Sequence, residues 1–316
     1  MSKTLLSFVV PCYNSKNTIT AVVDEIINTV ETRPNFDYEI ILVADSSPDT
    51  VYDVIKNLAQ TNPKIKGINF ARNFGQHSAI MAGFRHSKGD IVFSLDDDGQ
   101  TPADELYKLV DVINNGADIV FARYRVKKHN RFRNFVSKIN SFMMETLTNK
   151  PKQLAVSSYF AVKRFIVNEM IHYKNPYPYL GGLIFRATSN VAHVDVEHRE
   201  RVEGKSNYSF KKLLALWMNG FTAFSVKPLR ISTYIGVITA TFGFIYGLFI
   251  IIRKLVMPQI LIGYSSLMAV LLFIGGMILL MLGMIGEYIG RIYICINESP
   301  QYVIKEKVNL EDDNGQ

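Results

Sequence analysis

The feature that most constrains the fold of this chain is a repeated pairing of a short apolar run with a longer stretch of helical periodicity. Residues 5–10 are apolar apart from Ser7, and Ile19, Val22, Val23, Ile26, Ile27 and Val30 follow at helical spacing. A second run at 39–43 precedes Val51, Val54, Ile55 and Leu58. A third, at 65–70, leads into a helix reaching about residue 87, and a fourth, at 91–95, into a helix from about 102 to 115. Residues 118–121 add another strand. Near-continuous apolar runs suit strands buried on both faces, and a 3.6-residue apolar pattern suits helices that cover them. The alternation predicts an α/β fold: a mostly parallel sheet with helices on both faces. Ser15 or Asn17 is the expected cap of the first helix. Ligands of such sheets bind outside the carboxyl ends of the strands. Tyr13, Asp45, Arg72 and Asp96 each follow a run, so they are expected to converge on one cleft.

The fourth run ends in Asp96-Asp97-Asp98-Gly99-Gln100. Unpartnered carboxylates are costly to bury, so a strand ending this way needs a cation or water at its tip. Asp96 and Asp98 sit two apart and point the same way in extended chain, while Asp97 points the other way. Two hard oxygen ligands on one side suit Mg²⁺ or Mn²⁺ shared with the phosphates of a nucleotide. A solvated loop after a strand is the other reading of this stretch alone. His77 fits packing or capping of its helix better than ligand contact. His193 and His198 have no cysteine nearby, so no zinc site is read there.

Two stretches, 231–252 and 263–285, are almost free of charge, and each is long enough to cross a bilayer as a helix. Hydrophobic residues make up 48% of the chain, yet its formal net charge is +7. Lys127, Lys128, Arg131, Arg133 and Lys138, then Lys211, Lys212, Lys227 and Arg230, crowd segments adjoining the apolar stretches. With two spans beside them, these clusters fit an anionic cytoplasmic leaflet better than nucleic acid. Amphipathic patterns at about 130–148 and 209–224 suit helices lying in the membrane interface; the first equally suits a helix packed on the sheet. The expected organisation is therefore a cytoplasmic catalytic domain over 1–228, two transmembrane helices within 229–286, and a cytoplasmic tail over 287–316, disordered from 309 onward. Arg253 and Lys254 in the short connection argue the other way, and snorkelling reconciles them. Cys12 and Cys295 are expected to be unbridged.

The ordered set Pro11-Cys12-Tyr13-Asn14, Asp45-Ser46-Ser47-Pro48-Asp49, Arg72-Asn73-Phe74-Gly75 and Asp96-Asp97-Asp98-Gly99-Gln100 resembles family 2 glycosyltransferases. More narrowly, the chain is similar to the polyprenyl-phosphate glycosyltransferases, which include dolichyl-phosphate mannose synthase and the bactoprenol glucosyltransferases. Arg201-Val202-Glu203-Gly204-Lys205-Ser206-Asn207-Tyr208, the placing of the two apolar stretches, and Gly286-Glu287-Tyr288-Ile289-Gly290-Arg291-Ile292-Tyr293 carry that narrower likeness. The resemblance implies a GT-A-type domain at the inner (plasma) membrane that moves a hexose from a nucleotide sugar to polyprenyl phosphate with inversion. UDP-glucose and undecaprenyl phosphate are the favoured pair, and a homo-oligomer is implied. It places a Mg²⁺ or Mn²⁺ ion on Asp96 and Asp98, with Gln100 beside them. Pro11, Tyr13, Asn14, Asp45, Arg72, Gln76 and Asp97 would complete the nucleotide-sugar site. Asp98, Arg201 and Ser158 would form the catalytic set, and Arg123, Arg125, Arg131 and Arg199 would receive the lipid phosphate.

The chain departs from the family pattern in three places. Ala44 stands where a second carboxylate is usual, Gly99 replaces a leucine, and Ser158 occupies the position of an aspartate often named as the base. Serine is a poor base. A sugar hydroxyl acceptor needs one; a phosphate monoester, with a second pKa of about 6, is already ionised. The loss therefore favours a phosphate acceptor. A sugar or diacylglycerol acceptor on the same fold, or a nucleotide-sugar-binding membrane protein without activity, are the alternatives.

Overall fold

The computed structural model describes residues 3–124, 156–197, 227–257, 264–297 and 299–311. The chain forms two compact units, Met1–Phe210 with Ser299–Gln316, and Lys211–Glu298.

The first unit opens with β1 (Thr4–Cys12), α1 (Ile19–Glu31), β2 (Phe36–Ala44), α2 (Val51–Thr61), β3 (Ile65–Phe70), α3 (Gln76–His86) and β4 (Ile91–Ser94). A 3₁₀ turn (Ala103–Glu105), α4 (Leu106–Asn114) and β5 (Ile119–Tyr124) follow. Then come β6 (Phe160–Lys163), helices Arg164–Ile171 and Leu180–Ala187, β7 (Val191–Val196) and, from the C-terminal segment, β8 (Ile304–Val308). The eight strands form one sheet in the order β7-β5-β6-β4-β1-β2-β3-β8. Pairs β1–β2, β1–β4, β2–β3 and β5–β7 are parallel. β6 runs antiparallel between β4 and β5, and β8 runs antiparallel along β3.

Burial explains the continuous apolar runs. Phe8, Val9 and Val10 are all fully buried, so β1 is covered on both faces. Phe8 stacks on Phe93 of the neighbouring β4 at 4.9 Å. Each such side chain contributes about 1.5–3 kcal/mol through apolar burial. α1 buries Ile19, Val22, Val23, Ile26 and Val30, the stripe its spacing predicts. Gly83 lets α3 lie close on β1, since a Cβ there would sit 2.2 Å from Val9 Cγ1. The expected cap differs: α1 starts after Thr18, whose side chain makes no capping bond. Its Oγ1 donates instead to the Asp97 carbonyl at 2.5 Å.

The order of strands positions the site. From β1 the chain steps to β2 and β3 on one side and to β4 on the other. That reversal opens a crevice at the carboxyl ends of β1 and β4. Tyr13 follows the first and Asp96 the second.

Within the expected tail, residues 304–308 form a strand that the sequence reading did not anticipate. β8 completes the sheet, and Asn309 Nδ2 donates to the carbonyls of Ala59 at 2.6 Å and Ile65 at 2.9 Å.

The second unit contains helices Lys227–Val256 and Tyr264–Ile296. Among the described residues, only Phe273–Ile296 is long and apolar enough to cross a bilayer; it has a mean hydropathy of 1.7 and is not buried. Thr233–Phe249 is apolar but shorter. Of the two spans expected at 231–252 and 263–285, the second is matched by a helix of sufficient length, displaced toward the C-terminus. Large apolar side chains stay exposed along it, with Leu279 70% and Ile296 72% accessible. The expected interfacial helices at about 130–148 and 209–224 lie outside the described residues.

Candidate active site

Three strand ends and one helix start meet at the crevice. β4 stops at Ser94, and the chain turns through Asp96–Asp98 with Gly99 at φ 74°, a left-handed conformation that suits glycine. The three carboxylates then separate. Asp97 turns back, its Oδ2 accepting the Tyr13 amide at 2.8 Å. Asp98 Oδ1 accepts the Gln100 amide at 3.0 Å. Asp96 Oδ1 accepts from Gln76 Nε2 at 2.9 Å, and its Oδ2 accepts from Ser158 Oγ.

The Ser158 contact follows from register. β4 and β6 pair antiparallel with Ser94 opposite Phe160. Two residues beyond the first and two before the second, Asp96 and Ser158 face each other. The position where the family pattern has a base is therefore beside the first carboxylate of the acidic turn. Gln76 arrives from the first residue of α3.

Tyr124, at the end of β5, was not marked by sequence reasoning. Burial, reinforced by the charges of Asp96 and Asp98, pushes its hydroxyl up to about 12. The only signal for it was an aromatic residue just past the expected strand. Burial likewise pushes the Asp97 carboxyl up to about 6, against the opposing Tyr13 amide and with help from the neighbouring Asp96 charge.

Asp45 sits under the 72–75 loop. It is 4% exposed, and its two oxygens accept the Phe74 and Gly75 amides at 2.7 and 2.8 Å. Asn73 Nδ2 adds a bond to its carbonyl at 3.2 Å. Burial raises its pKa against those two amide bonds. Asp45 thus clamps the 72–75 loop that presents Gln76. Replacing it with Ala leaves two partly buried amides without their acceptor, an expected loss of about 1–2 kcal/mol. Asp45→Asn, which keeps one acceptor oxygen, is expected to lose less; thermal melts of the two variants check this.

The β1–α1 loop is tied down in the same way. Asn14 holds φ 59° and donates its amide to Ser47 Oγ at 2.8 Å. Asp49 accepts from Ser47 Oγ at 2.6 Å and from the Lys16 amide at 2.8 Å. Burial opposes the charge on Asp49, yet these bonds hold its pKa below the usual value. Pro11 is a buried β1 residue opposite Val43, and Tyr13 is 43% exposed above it. Arg72 is exposed, its guanidinium 4.7 Å from the Phe74 ring centroid. His77 is engaged as a packed residue: its Nδ1 lies 3.1 Å from the Pro178 carbonyl, and burial depresses its pKa. Arg123 is paired with Asp195, its register partner on β7. Arg125, Arg131, Arg199 and Arg201, like His198, lie outside the described residues.

Could this edge hold a divalent ion? Among the described residues no three His, Cys, Asp or Glu side chains converge as an all-protein cage. Asp96 and Asp98 do supply hard carboxylate oxygens, the ligand type that Mg²⁺ and Mn²⁺ prefer. Mg²⁺ is commonly held by one or two carboxylates together with substrate phosphates and water. The residues present fit such an ion.

Residues 7–171 match Glycosyl transferase family 2. The chain belongs to this family. Residues 227–292 match the GtrB C-terminal hairpin. The bactoprenol glucosyl transferase of Shigella phage SfV is 32% identical over 311 residues, covering 96% of this chain and 98% of the relative. The undecaprenyl-phosphate 4-deoxy-4-formamido-L-arabinose transferase of Proteus mirabilis is 33% identical over 316 residues, covering 98% and 95%. Among solved structures, glucosyl-3-phosphoglycerate synthase from Mycobacterium tuberculosis, in complex with Mn²⁺, UDP-glucose and phosphoglyceric acid, superimposes with a TM-score of 0.52. That match is at 18% identity and covers 70% of this chain and 78% of that one. Mannosyl-3-phosphoglycerate synthase from Rubrobacter xylanophilus gives 0.52 at 18% identity, covering 73% and 75%. These two likenesses establish the GT-A-like α/β fold of this glycosyltransferase.

Proposed function

We propose that this family 2 glycosyltransferase moves a hexose, with inversion, from UDP-glucose to undecaprenyl phosphate at the cytoplasmic face of the membrane. The observation that carries the reading is the Ser158 hydroxyl hydrogen-bonded to Asp96 where a base would stand. A hydroxyl there takes no proton at neutral pH, so the acceptor suited to the site arrives already ionised. A phosphate monoester is mostly a dianion at pH 7. Its oxygen attacks the anomeric carbon from the side opposite the diphosphate. The new C–O bond forms as the bond to the diphosphate oxygen breaks, and no proton moves. Relatives over the whole length that are named for bactoprenol and undecaprenyl phosphate support the same acceptor.

Asp96 and Asp98 are proposed to hold a Mg²⁺ or Mn²⁺ ion, which would neutralise charge on the departing diphosphate. Gln76 and Ser158 fix the Asp96 rotamer. Tyr13, Asn14 and Arg72 are proposed to meet the nucleotide, with Pro11, Asp45 and Asp97 shaping the loops that carry them. Tyr124 joins this set. Arg125, Arg131, Arg199 and Arg201 are proposed for the phosphates, with Arg123 available once it exchanges Asp195. The match of 227–292 to a hairpin supports both long helices entering the membrane, with the catalytic unit at the basic, cytoplasmic side.

A donor screen on purified protein with undecaprenyl phosphate and Mn²⁺, using UDP-glucose, UDP-GlcNAc, UDP-galactose and GDP-mannose, tests this. UDP-glucose is expected to be consumed with formation of a β-linked lipid product. An α-linked product in the NMR spectrum refutes inversion, and turnover that ignores undecaprenyl phosphate refutes the acceptor.

A further inference from the structure

The C-terminal segment does more than complete the sheet. Gln301 is 7% exposed, and its Nε2 donates to the carbonyls of Tyr173 at 3.2 Å and Asn175 at 3.0 Å. Those residues open the loop whose Pro178 carbonyl meets His77 on α3. Tyr302 stacks on Phe70 with ring centroids 5.2 Å apart and planes 9° from parallel. Phe70 in turn packs edge-on against Phe74 at 5.7 Å. The Val303 carbonyl accepts the Ala71 amide at 2.9 Å. Three consecutive residues thus grip both loops that flank the start of α3. That start carries Gln76, the donor to Asp96, and Phe74 and Gly75, the donors to Asp45.

We propose that Gln301–Tyr302–Val303 is a strap that positions the 70–76 and 173–179 loops for nucleotide-sugar binding. The inference rests on the donor-site reading above. The three residues act through the loops, as positioning residues. An edge strand serving only stability would need the β8 backbone pairing alone. Here a buried amide side chain and a stacked ring reach past the sheet to the two loops at its carboxyl edge. Stacked aromatic pairs are directional, so the Tyr302 ring sets the orientation of Phe70 and, through it, Phe74.

The test uses the full-length protein in detergent with three variants: Tyr302→Leu, Tyr302→Phe and Gln301→Ala. Amide hydrogen exchange is expected to accelerate over 70–76 in Tyr302→Leu and over 173–179 in Gln301→Ala, and to stay unchanged over α1 in both. With UDP-glucose and undecaprenyl phosphate as substrates, KM for UDP-glucose is expected to rise about tenfold in Tyr302→Leu. In the same variant kcat and KM for the lipid move less than about twofold, the pattern of lost donor binding. Tyr302→Phe, which keeps the ring, restores KM. An unchanged KM for UDP-glucose, a fall confined to kcat, or equal effects on both KM values overturns the strap. If the unsubstituted protein consumes no UDP-glucose, the proposed donor falls instead. The exchange experiment then still decides, because unchanged exchange over both loops overturns the strap. Should Tyr302→Leu fail to fold, Gln301→Ala is read by the same criteria.

Discussion

Replacing Asp98 with Asn is expected to lower hexosyl transfer about 10²–10³-fold, the loss typical when one group that stabilises transition-state charge is removed. The substitution is nearly isosteric. The Asn carbonyl oxygen can still accept the Gln100 amide that Asp98 Oδ1 now accepts at 3.0 Å, so the turn keeps its shape. What disappears is the negative charge. Under the proposed mechanism that charge would help hold a divalent ion that neutralises the leaving diphosphate, so the deficit should fall on kcat with Mn²⁺. Asp97→Asn is the internal control. Asp97 faces the Tyr13 amide, away from the other two carboxylates, and the Asn oxygen can keep that bond. Its expected loss is below about tenfold, that of a loop adjustment rather than of a lost charge partner. Radiolabelled transfer to undecaprenyl phosphate, with Mn²⁺ titrated for each variant, separates the two. Full activity in Asp98→Asn would remove the metal assignment, and equal losses at Asp97 and Asp98 would make the whole turn, rather than the charge, responsible.

The contrast shows what sequence could and could not reveal. β1 to β4 were legible because parallel strands covered on both faces are near-continuous apolar runs, and their helices carry a 3.6-residue stripe. Their polar ends were therefore legible as one crevice. Alternation in extended chain also separated Asp97 from its neighbours. The Ser158–Asp96 contact was not legible, because it depends on the register of the four-residue β6, which enters antiparallel from far along the chain. β8 was missed for a different reason. Ile304-Lys305-Glu306-Lys307-Val308 is an edge strand, and charged residues are tolerated and useful on such an edge. Lys56 pairs with Glu306 at 2.6 Å on that edge. In sequence the same charges read as a solvated tail. The Asp45 clamp was not legible, because nothing local reveals that Phe74 and Gly75, 29 and 30 residues away, turn their amides onto it. In the second helix of the other unit, Glu287 and Arg291 suggested an early end to the apolar stretch, whereas the helix continues to Ile296.

Glu39→Gln is expected to destabilise the catalytic unit by about 3–5 kcal/mol, the usual consequence of removing one partner from a buried ion pair. Glu39 lies on β2 opposite Ser7 of β1, and its side chain is 7% exposed. Its oxygens accept from Ser7 Oγ, Lys66 Nζ and the Lys88 amide, each at 2.5 Å, and from the Gly89 amide at 3.2 Å. Residues 88 and 89 precede β4, so this cluster ties β1, β2, β3 and the entry to β4 together at the edge opposite Asp96–Asp98. Gly89 permits the approach, since a Cβ there would lie 2.5 Å from Ser7 Oγ and 2.7 Å from the Ser7 nitrogen. Arg164 closes the group from outside, with Nε donating to the Gly89 carbonyl at 2.7 Å. The substitution leaves Lys66, whose side chain is 14% exposed, without its carboxylate. Burial works against the Glu39 charge, but the bonds from Lys66, Ser7 and Lys88 outweigh it and hold its pKa below the ordinary 4.5. A depressed folded pKa stabilises above the unfolded value, and that contribution is lost as pH falls through the folded one. The parent protein should therefore lose stability on acidification below about pH 4.5 more steeply than the Glu39→Gln protein. Melting temperatures of both across pH 3–8 check the size and the sign together. Because the cluster lies at the far edge, transfer activity of the folded fraction should be unchanged. Parallel acid profiles for the two proteins would show that the carboxylate contributes no charge-dependent stability, and the loss would then belong to packing alone.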